Sequence, residues 1–162
     1  MVGVAKGAFA MDALLTSMVL WLAANFALPA TFDHPKLRFV AAEEIVVFRY
    51  RAITREQRRQ VLASYAASDK QTAIAAVYDD AKKTILLPKG WAGRSPAELS
   101  VLLHELVHHI QTTANLKYEC PAAREKLAYA AQEKWLGLFN LSLASEFNID
   151  PFTLKVATEC AY

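Results

Sequence analysis

The stretch from Val101 to Ile110 constrains this chain more than any other, because it sets a His-Glu-x-x-His pattern inside an apolar helix. Residues four apart lie one above the other on a helix, so His104 and His108 direct two imidazoles toward one point. That arrangement provides two of the ligands that a zinc ion needs. Glu105 follows the first histidine, where its carboxylate can take a proton from a water molecule that the metal activates.

The alternative for this stretch is a buried helix whose histidines hydrogen-bond to backbone groups. The metal interpretation is favoured because the motif lies in the middle of a helix, in an apolar frame, with a third ligand following at a suitable distance. Ser95, Pro96 and Glu98 provide an N-cap, a proline at the first helical position and an acidic residue at the third. We therefore expect a helix from Pro96 to about Thr113 that stops near Asn115.

Length and charge limit the broad class of the protein. A chain of 162 residues with 54% hydrophobic content is expected to fold as one domain, residues 1–162, with a sizeable core. The net charge of +2, from 18 basic and 16 acidic residues, gives no electrostatic footprint for nucleic acid.

The N-terminal segment, residues 8–30, allows two interpretations. It is apolar and follows Lys6, which is typical of a signal or anchor segment that could associate with a membrane. Its apolar part is short for a membrane span, and no clean Ala-x-Ala cleavage site precedes Pro29. Helical spacing of its apolar residues favours instead the first helix of the domain, ended by Pro29: Met11, Leu15, Met18, Val19, Leu22 and Phe26.

Short runs of β-branched and aromatic residues predict a small sheet. Leu37–Val40 is expected to be a strand, whereas Ile45–Tyr50 could be a strand or a helix. Between the sheet segments, Thr54–Ser64 is expected to be a polar helix, with Thr54 and Gln57 at the spacing of a capping box. Ala73–Tyr78 and Thr84–Leu87 predict a β-hairpin with a polar turn, immediately before the motif helix. An edge strand in that position could bind an extended peptide by strand addition, or the hairpin could only cover the core.

A second long helix is predicted from Pro121 to about Leu143, and it supplies the third metal ligand. One of its faces is small, aromatic or apolar apart from two polar residues: Glu125, Ala128, Tyr129, Gln132 and Leu136. An unpaired buried carboxylate is costly, and metal binding by Glu125 would remove that cost. Ala128 would let this helix approach the motif helix closely.

Other residues compete for these roles. Glu125 could instead pair with Arg124, Lys126 or a backbone donor. The rival third ligands are Glu119 in the connecting segment, Glu133 on the solvated side, His34, and His109, which is rotated by about 100° from His108 on the helix.

His104-Glu105-Leu106-Val107-His108 followed by Glu125-Lys126-Leu127-Ala128 resembles the zincin metallopeptidases, and more narrowly their gluzincin branch. The resemblance covers about residues 73–136. The short, compact form of the chain resembles small bacterial zincin-like proteins. It implies that His104, His108 and Glu125 bind Zn²⁺ and that Glu105 is the catalytic base. Many gluzincins have Asp four residues after the ligand Glu, where it supports a zinc-binding histidine. This chain has Tyr129 there, which leaves the orienting partner open.

Two functions are compatible with this pattern. The first is a zinc-dependent peptidase acting on a peptide or protein substrate, with Tyr118 and Tyr129 as candidate donors to the oxyanion unless both are core aromatics. The second is a non-enzymatic domain in which the cluster is a structural zinc site or only part of the core. The expected fold is α+β, with a small mixed sheet and both metal-binding helices packed on one side of it.

Cys120 and Cys160 are the two cysteines of the chain. We expect them to form a disulfide, because the bond would hold the C-terminal tail beside the helix that carries Glu125. Closing a loop of about 40 residues contributes roughly 4 kcal/mol in the chain-entropy model. A disulfide favours an exported protein, periplasmic or membrane-associated, whereas two free thiols would favour the cytoplasm.

Overall fold

The computed structural model describes residues 3–30, 33–50, 53–66 and 76–161. Within these ranges the chain forms seven helices and three strands, in the order α1 (Gly3–Phe26), β1 (Lys36–Val40), α2 (Ala42–Arg49), α3 (Arg55–Ala66), β2 (Val77–Asp79), β3 (Thr84–Pro88), α4 (Pro96–Thr113), α5 (Pro121–Gly137), α6 (Leu143–Phe147) and α7 (Pro151–Thr158).

The three strands form one mixed sheet in the order β1-β3-β2. β1 runs parallel to β3, with Lys36 opposite Thr84, and β2 runs antiparallel to β3, with Val77 opposite Leu86. The α+β prediction and the β-hairpin are therefore confirmed. The first hairpin strand, predicted as Ala73–Tyr78, is β2 and begins at Val77 in the described residues. Residues 73–75 lie outside the described ranges. The segment left open between strand and helix, Ile45–Tyr50, is helical through Arg49 and belongs to α2.

Helices cover both faces of the sheet. Alternate residues of β3 point to opposite sides, so this strand contributes side chains to the core on each face. Ile85 and Leu87 are buried in the main core with α1, α4 and α5. Leu86 points the other way and is buried in a smaller core with Ile45 and Val46 of α2. The two helices of the predicted metal site thus pack on one side of the sheet, as expected.

α1 contributes to the main core through Leu15, Met18, Val19 and Leu22, each at most 2% exposed. These are positions that the helical spacing predicted to face one side. The helix ends at Phe26, before Pro29, and Ala27 has a φ of 52°, in the left-handed region. Within the described ranges, no helix combines the length and the apolar character that crossing a bilayer requires.

The helix predicted from Pro121 to Leu143 is six residues shorter, which corrects the prediction. α5 ends at Gly137, and Asn140 adopts a left-handed φ of 56° that a continuing helix cannot contain. Ser142 then caps the short helix α6 through a reciprocal pair of hydrogen bonds with Ser145. Glu133 holds this junction, because its carboxylate accepts from the Leu143 amide at 2.6 Å.

The caps predicted at the starts of α3 and α4 and the stop predicted after α4 are present in the structure. Thr54 and Gln57 form both hydrogen bonds of the predicted capping box. Ser95 caps α4 by accepting from the Glu98 amide, and Asn115 takes a φ of 52° just after that helix.

Cys120 and Cys160 form the predicted disulfide, with Cα atoms 5.9 Å apart. Cys120 is also the N-cap of α5, because its sulfur accepts from the Ala123 amide. The bond therefore fixes the C-terminal end of the chain, just after α7, to the first residue before α5.

Candidate metal centre

The site is built on α4 and α5, which lie side by side in antiparallel directions. Gln111 near the end of α4 contacts Arg124 near the start of α5, and Pro96 at the start of α4 accepts from Trp135 near the end of α5. Ala128 of α5 is 0% exposed in the main core, and its small side chain allows the two helices to approach closely. This close approach brings Glu125 over the two histidines of α4.

Three potential ligand side chains meet between the helices. Glu125 Oε2 lies 3.2 Å from His104 Nε2, and Glu125 Oε1 lies 3.3 Å from His108 Nε2. The two Nε2 atoms are 3.2 Å apart. One ligand atom from each residue lies within 4.8 Å of the others, a spacing that could hold a metal ion. The structure thus brings together the ligand set that the sequence predicted.

A relay of hydrogen bonds determines which nitrogen of His104 carries the proton. The Ser100 hydroxyl donates to the Ala97 carbonyl at 2.7 Å, so its oxygen must accept from Gln132 Nε2 at 3.2 Å. The amide of Gln132 is thereby oriented with Oε1 toward His104 Nδ1, at 3.1 Å. Nδ1 consequently donates, and Nε2 presents its lone pair to the site.

A second relay does the same for His108. Arg124 Nε can only donate, and it donates to Gln111 Oε1 at 3.2 Å. Gln111 Nε2 in turn donates to the Arg124 carbonyl at 3.0 Å. Gln111 Oε1 therefore accepts from His108 Nδ1 at 2.9 Å, which leaves a lone pair on His108 Nε2. A glutamine thus orients each histidine. These glutamines take the role of the aspartate that many gluzincins have at the position of Tyr129.

Two imidazole lone pairs and a carboxylate facing one another need a cation between them. Without a metal, that cation is a proton. Burial alone would lower the pKa of His108, but the hydrogen bond to Glu125 and the charges of Glu105 and Glu125 raise it above its ordinary value of 6.5. Burial would raise the pKa of Glu125, yet its bonds to His104 and His108 hold it well below the usual carboxylate range. The donor chemistry fits a divalent metal ion in place of the proton.

Glu105 lies at the same site without belonging to the ligand cluster. It is 4% exposed, and its Oε1 is 3.7 Å from Nη2 of Arg49 at the end of α2. Both residues border a cavity of about 630 Å³ that also reaches the three ligands, the edge strand β2 and Ala157 of α7.

The two candidate tyrosines differ in position. Tyr129 borders the cavity and packs edge-on against His104, with ring centroids 4.7 Å apart. Burial, and then the charge of Glu125, raise the pKa of its phenol, so Tyr129 keeps its proton and remains a donor at neutral pH. Tyr118 lies beside Gln111 instead and is not part of the cavity lining.

The two rival histidine ligands are engaged elsewhere. His109 Nε2 donates to the Asp33 carbonyl, and its Nδ1 accepts from the Tyr78 hydroxyl. His34 contacts Thr16 and Asp12. Arg124, the proposed ionic partner of Glu125, forms a two-point ion pair with Asp80 in the hairpin turn, at 2.6 and 3.1 Å.

Several site residues were not anticipated from the sequence: Arg49, Asp80, Ser100, Gln111 and, as an orienting group, Gln132. Gln132 carried a weak signal, as one of only two polar residues on the buried face of α5. Gln111 lies three residues after His108, where a side chain on the same helix face can reach it. Arg49 and Asp80 reach the site only through the tertiary fold.

Fold and site together define a small α+β protein in which two antiparallel helices hold a His-His-Glu cluster beside a second glutamate at an open cavity. Residues 7–162 match the family described as "Domain of unknown function (DUF6647)", and the chain therefore belongs to this family. Comparison with curated proteins and with solved structures finds no significant match.

Proposed function

We propose that this protein is a zinc-dependent peptidase. The observation that carries the proposal is the convergence of two fixed imidazole lone pairs and the Glu125 carboxylate, with Glu105 next to them at a cavity. A zinc ion held there would supply a Lewis acid that activates water and polarises a carbonyl group. The resemblance of the motif to the gluzincins gives the same assignment.

The residues of the chain divide the remaining tasks. Glu105 is the general base: one of its carboxylate oxygens takes a proton from the attacking water and returns it to the leaving amine. His104, His108 and Glu125 hold the metal, and Gln132 and Gln111 keep the two imidazoles in the required tautomer. Tyr129 donates its phenolic proton in a hydrogen bond to the developing oxyanion.

The edge strand supports a peptide as the substrate class. Among the described residues, β2 pairs only with β3, and its residues Val77 and Tyr78 border the cavity. An extended peptide could add to the outer edge of β2 by main-chain hydrogen bonds, which would lay a peptide bond across the site.

Metal analysis and one isosteric substitution test the proposal. We expect the purified protein to bind one equivalent of zinc and to cleave peptides from a mixed library, as followed by mass spectrometry. Glu105→Gln should remain folded and zinc-loaded but lose at least about a hundredfold in kcat, the range typical of a general base. Glu44→Gln, an exposed glutamate on α2 paired with Arg38, is the matched control and should keep full activity.

Two results would count against this function. A protein that takes up no zinc would refute the metal site. A zinc-loaded protein without peptidase activity, in which Glu105→Gln changes only stability, would leave a metal centre that holds two helices together.

A further inference from the structure

Arg49 is a cation placed directly beside the proposed general base. Its Nη2 donates to the Ala76 carbonyl at 2.6 Å and lies 3.7 Å from Glu105 Oε1. The hydrogen bond to Ala76 ties the end of α2 to the residue before β2, so the guanidinium has a fixed position. Its side chain is nevertheless 38% exposed and borders the cavity. Its position in the cavity allows Arg49 to meet an incoming ligand.

The charges around the cavity favour an anion at this position. Asp80 and Arg124 neutralise each other in a two-point ion pair. Glu125 and Glu105 would together balance a divalent metal ion. Arg49 then remains as one excess positive charge among the described charged residues that border the cavity. A partly buried cation that exceeds the negative charge around it attracts a ligand that brings a counter-charge.

The proposed reaction increases this imbalance. When Glu105 accepts a proton it becomes neutral, and the guanidinium 3.7 Å away loses its nearest anion. A carboxylate of the bound substrate would replace the lost charge at that moment. A planar guanidinium binds a carboxylate through two parallel hydrogen bonds, an interaction that a primary amine cannot reproduce.

We propose that Arg49 binds a carboxylate of the substrate next to the bond that is cleaved. This inference rests on the proposed peptidase function. The carboxylate is either the C-terminus of the peptide or an acidic side chain near the scissile bond, and both present the same chemistry to the guanidinium.

Binding measurements with three small hydroxamates test the inference without turnover. All three carry the same metal-binding hydroxamate: the first ends in a free C-terminal carboxylate, the second in a carboxamide, and the third in a carboxamide with a Glu side chain. Calorimetry on the zinc-loaded protein should show at least one acidic probe binding about tenfold more tightly than the neutral probe, which is roughly 1.4 kcal/mol. Which acidic probe binds more tightly identifies the source of the carboxylate.

Substitutions of Arg49 test whether this residue causes the tighter binding of the acidic probes. Arg49→Gln should reduce the ratio between acidic and neutral probes to about one, and Arg49→Lys should keep only part of it. Arg38→Gln is the matched control, because Arg38 is an exposed arginine that pairs with Glu44, and neither residue borders the cavity. If Arg49→Gln is unstable, the Arg49→Lys ratio still decides, since a full tenfold preference there would contradict two-point recognition.

The outcomes separate this inference from the function on which it rests. Equal binding of all three probes to the wild-type protein, or a preference that survives in Arg49→Gln, would overturn the role of Arg49 while leaving an open metal site. Failure of every probe to bind the zinc-loaded protein would mean an inaccessible metal and would overturn both. In peptide cleavage, an equal fall in kcat for acidic and amidated substrates in Arg49→Gln would place Arg49 at the reacting carbonyl instead.

Discussion

At the scale of single residues, the orientation of each histidine ring is the property that makes this cluster suitable for a metal ion. A histidine pair four residues apart is compatible with either tautomer. Here the Ala97 carbonyl, acting through Ser100 and Gln132, sets the tautomer of His104. Arg124, acting through Gln111, sets that of His108. Both Nε2 lone pairs therefore point at Glu125, and a cation is needed whether or not the motif is catalytic.

This arrangement predicts how metal stabilisation depends on pH. The raised pKa of His108 means that its proton stabilises the metal-free fold below about pH 6.5 and that this stabilisation is lost as the pH rises through the folded-state pKa. The lowered pKa of Glu125 means that its charge stabilises the fold above the ordinary carboxylate range and that this is lost in acid. Zinc replaces the proton, so the increase in Tm caused by zinc should grow from about pH 6 to about pH 8.

The measurement is thermal unfolding of the protein with zinc and with a chelator across this pH range. Glu125→Gln is the control, because it removes the carboxylate that raises the pKa of His108, and it should flatten the pH dependence of the metal-free protein. A zinc effect on Tm that stays constant with pH would contradict the exchange of a proton for the metal.

At the scale of elements, Arg124 joins three parts of the fold around His108. Its guanidinium binds Asp80 in the turn after β2, the Thr112 hydroxyl at 3.1 Å and the His108 carbonyl at 3.2 Å, both on α4. It also orients Gln111. The hairpin that borders the cavity and the helix that carries two candidate ligands are thus held by one residue of α5, directly before the third candidate ligand.

A double-mutant cycle on zinc affinity tests whether Arg124 acts through Gln111. Arg124→Gln and Gln111→Ala should each weaken zinc binding by about tenfold to a hundredfold, the range for groups that orient metal ligands. Combined, they should weaken it less than the product of the single effects, because both remove the same support of His108. Arg124→Gln with Gln132→Ala is the matched control and should be close to additive, since Gln132 supports His104 alone. Equal coupling in both cycles would indicate a general loosening of the helix pair.

At the scale of the whole molecule, the disulfide connects α5, which carries Glu125, to the C-terminal part of the chain. It joins the N-cap of α5 to a position just after α7, and Ala157 of α7 borders the cavity. α7 itself contains no buried residue and exposes Phe152 and Val156, at 75% and 66%. α7 packs against α5 without burying any side chain fully, and the covalent bond adds to this attachment.

We expect the double variant Cys120→Ser/Cys160→Ser to lose up to about 4 kcal/mol of unfolding free energy in the chain-entropy model. Serine is a good N-cap, so the start of α5 should be preserved and the loss should reflect the missing bond. Denaturant unfolding with and without a reductant is the measurement: reductant should destabilise the wild-type protein to the level of the variant and leave the variant unchanged. Equal stability of the oxidised protein and the variant would show that the bond adds nothing. Export from the reducing cytoplasm, which the disulfide favours, stays a prediction.

The sequence by itself determined the features that depend on short-range periodicity and on end signals. The motif places His104 and His108 on one helix face, Ser95 and Asn115 mark the limits of α4, and Thr54 with Gln57 marks the start of α3. The face of α5 that carries Glu125, Ala128 and Gln132 was also readable, because a helix repeats every 3.6 residues wherever it packs. The end of α5 was misjudged, since apolar residues continue past Gly137 and only the left-handed turn at Asn140 breaks the helix.

Tertiary structure alone decided which polar groups meet at the site. Arg49 reaches Glu105 across 56 positions of sequence, and Arg124 reaches Asp80 across 44. No rule of local sequence spacing predicts such pairs, because their contact depends on how β2 and α2 pack against α4 and α5. The tautomers of the two histidines belong to the same category: they are set by donors and acceptors on neighbouring turns and on the facing helix. The sequence thus supplied the candidate ligands, and the packing of separate elements fixed their protonation and placed the cation beside the proposed base.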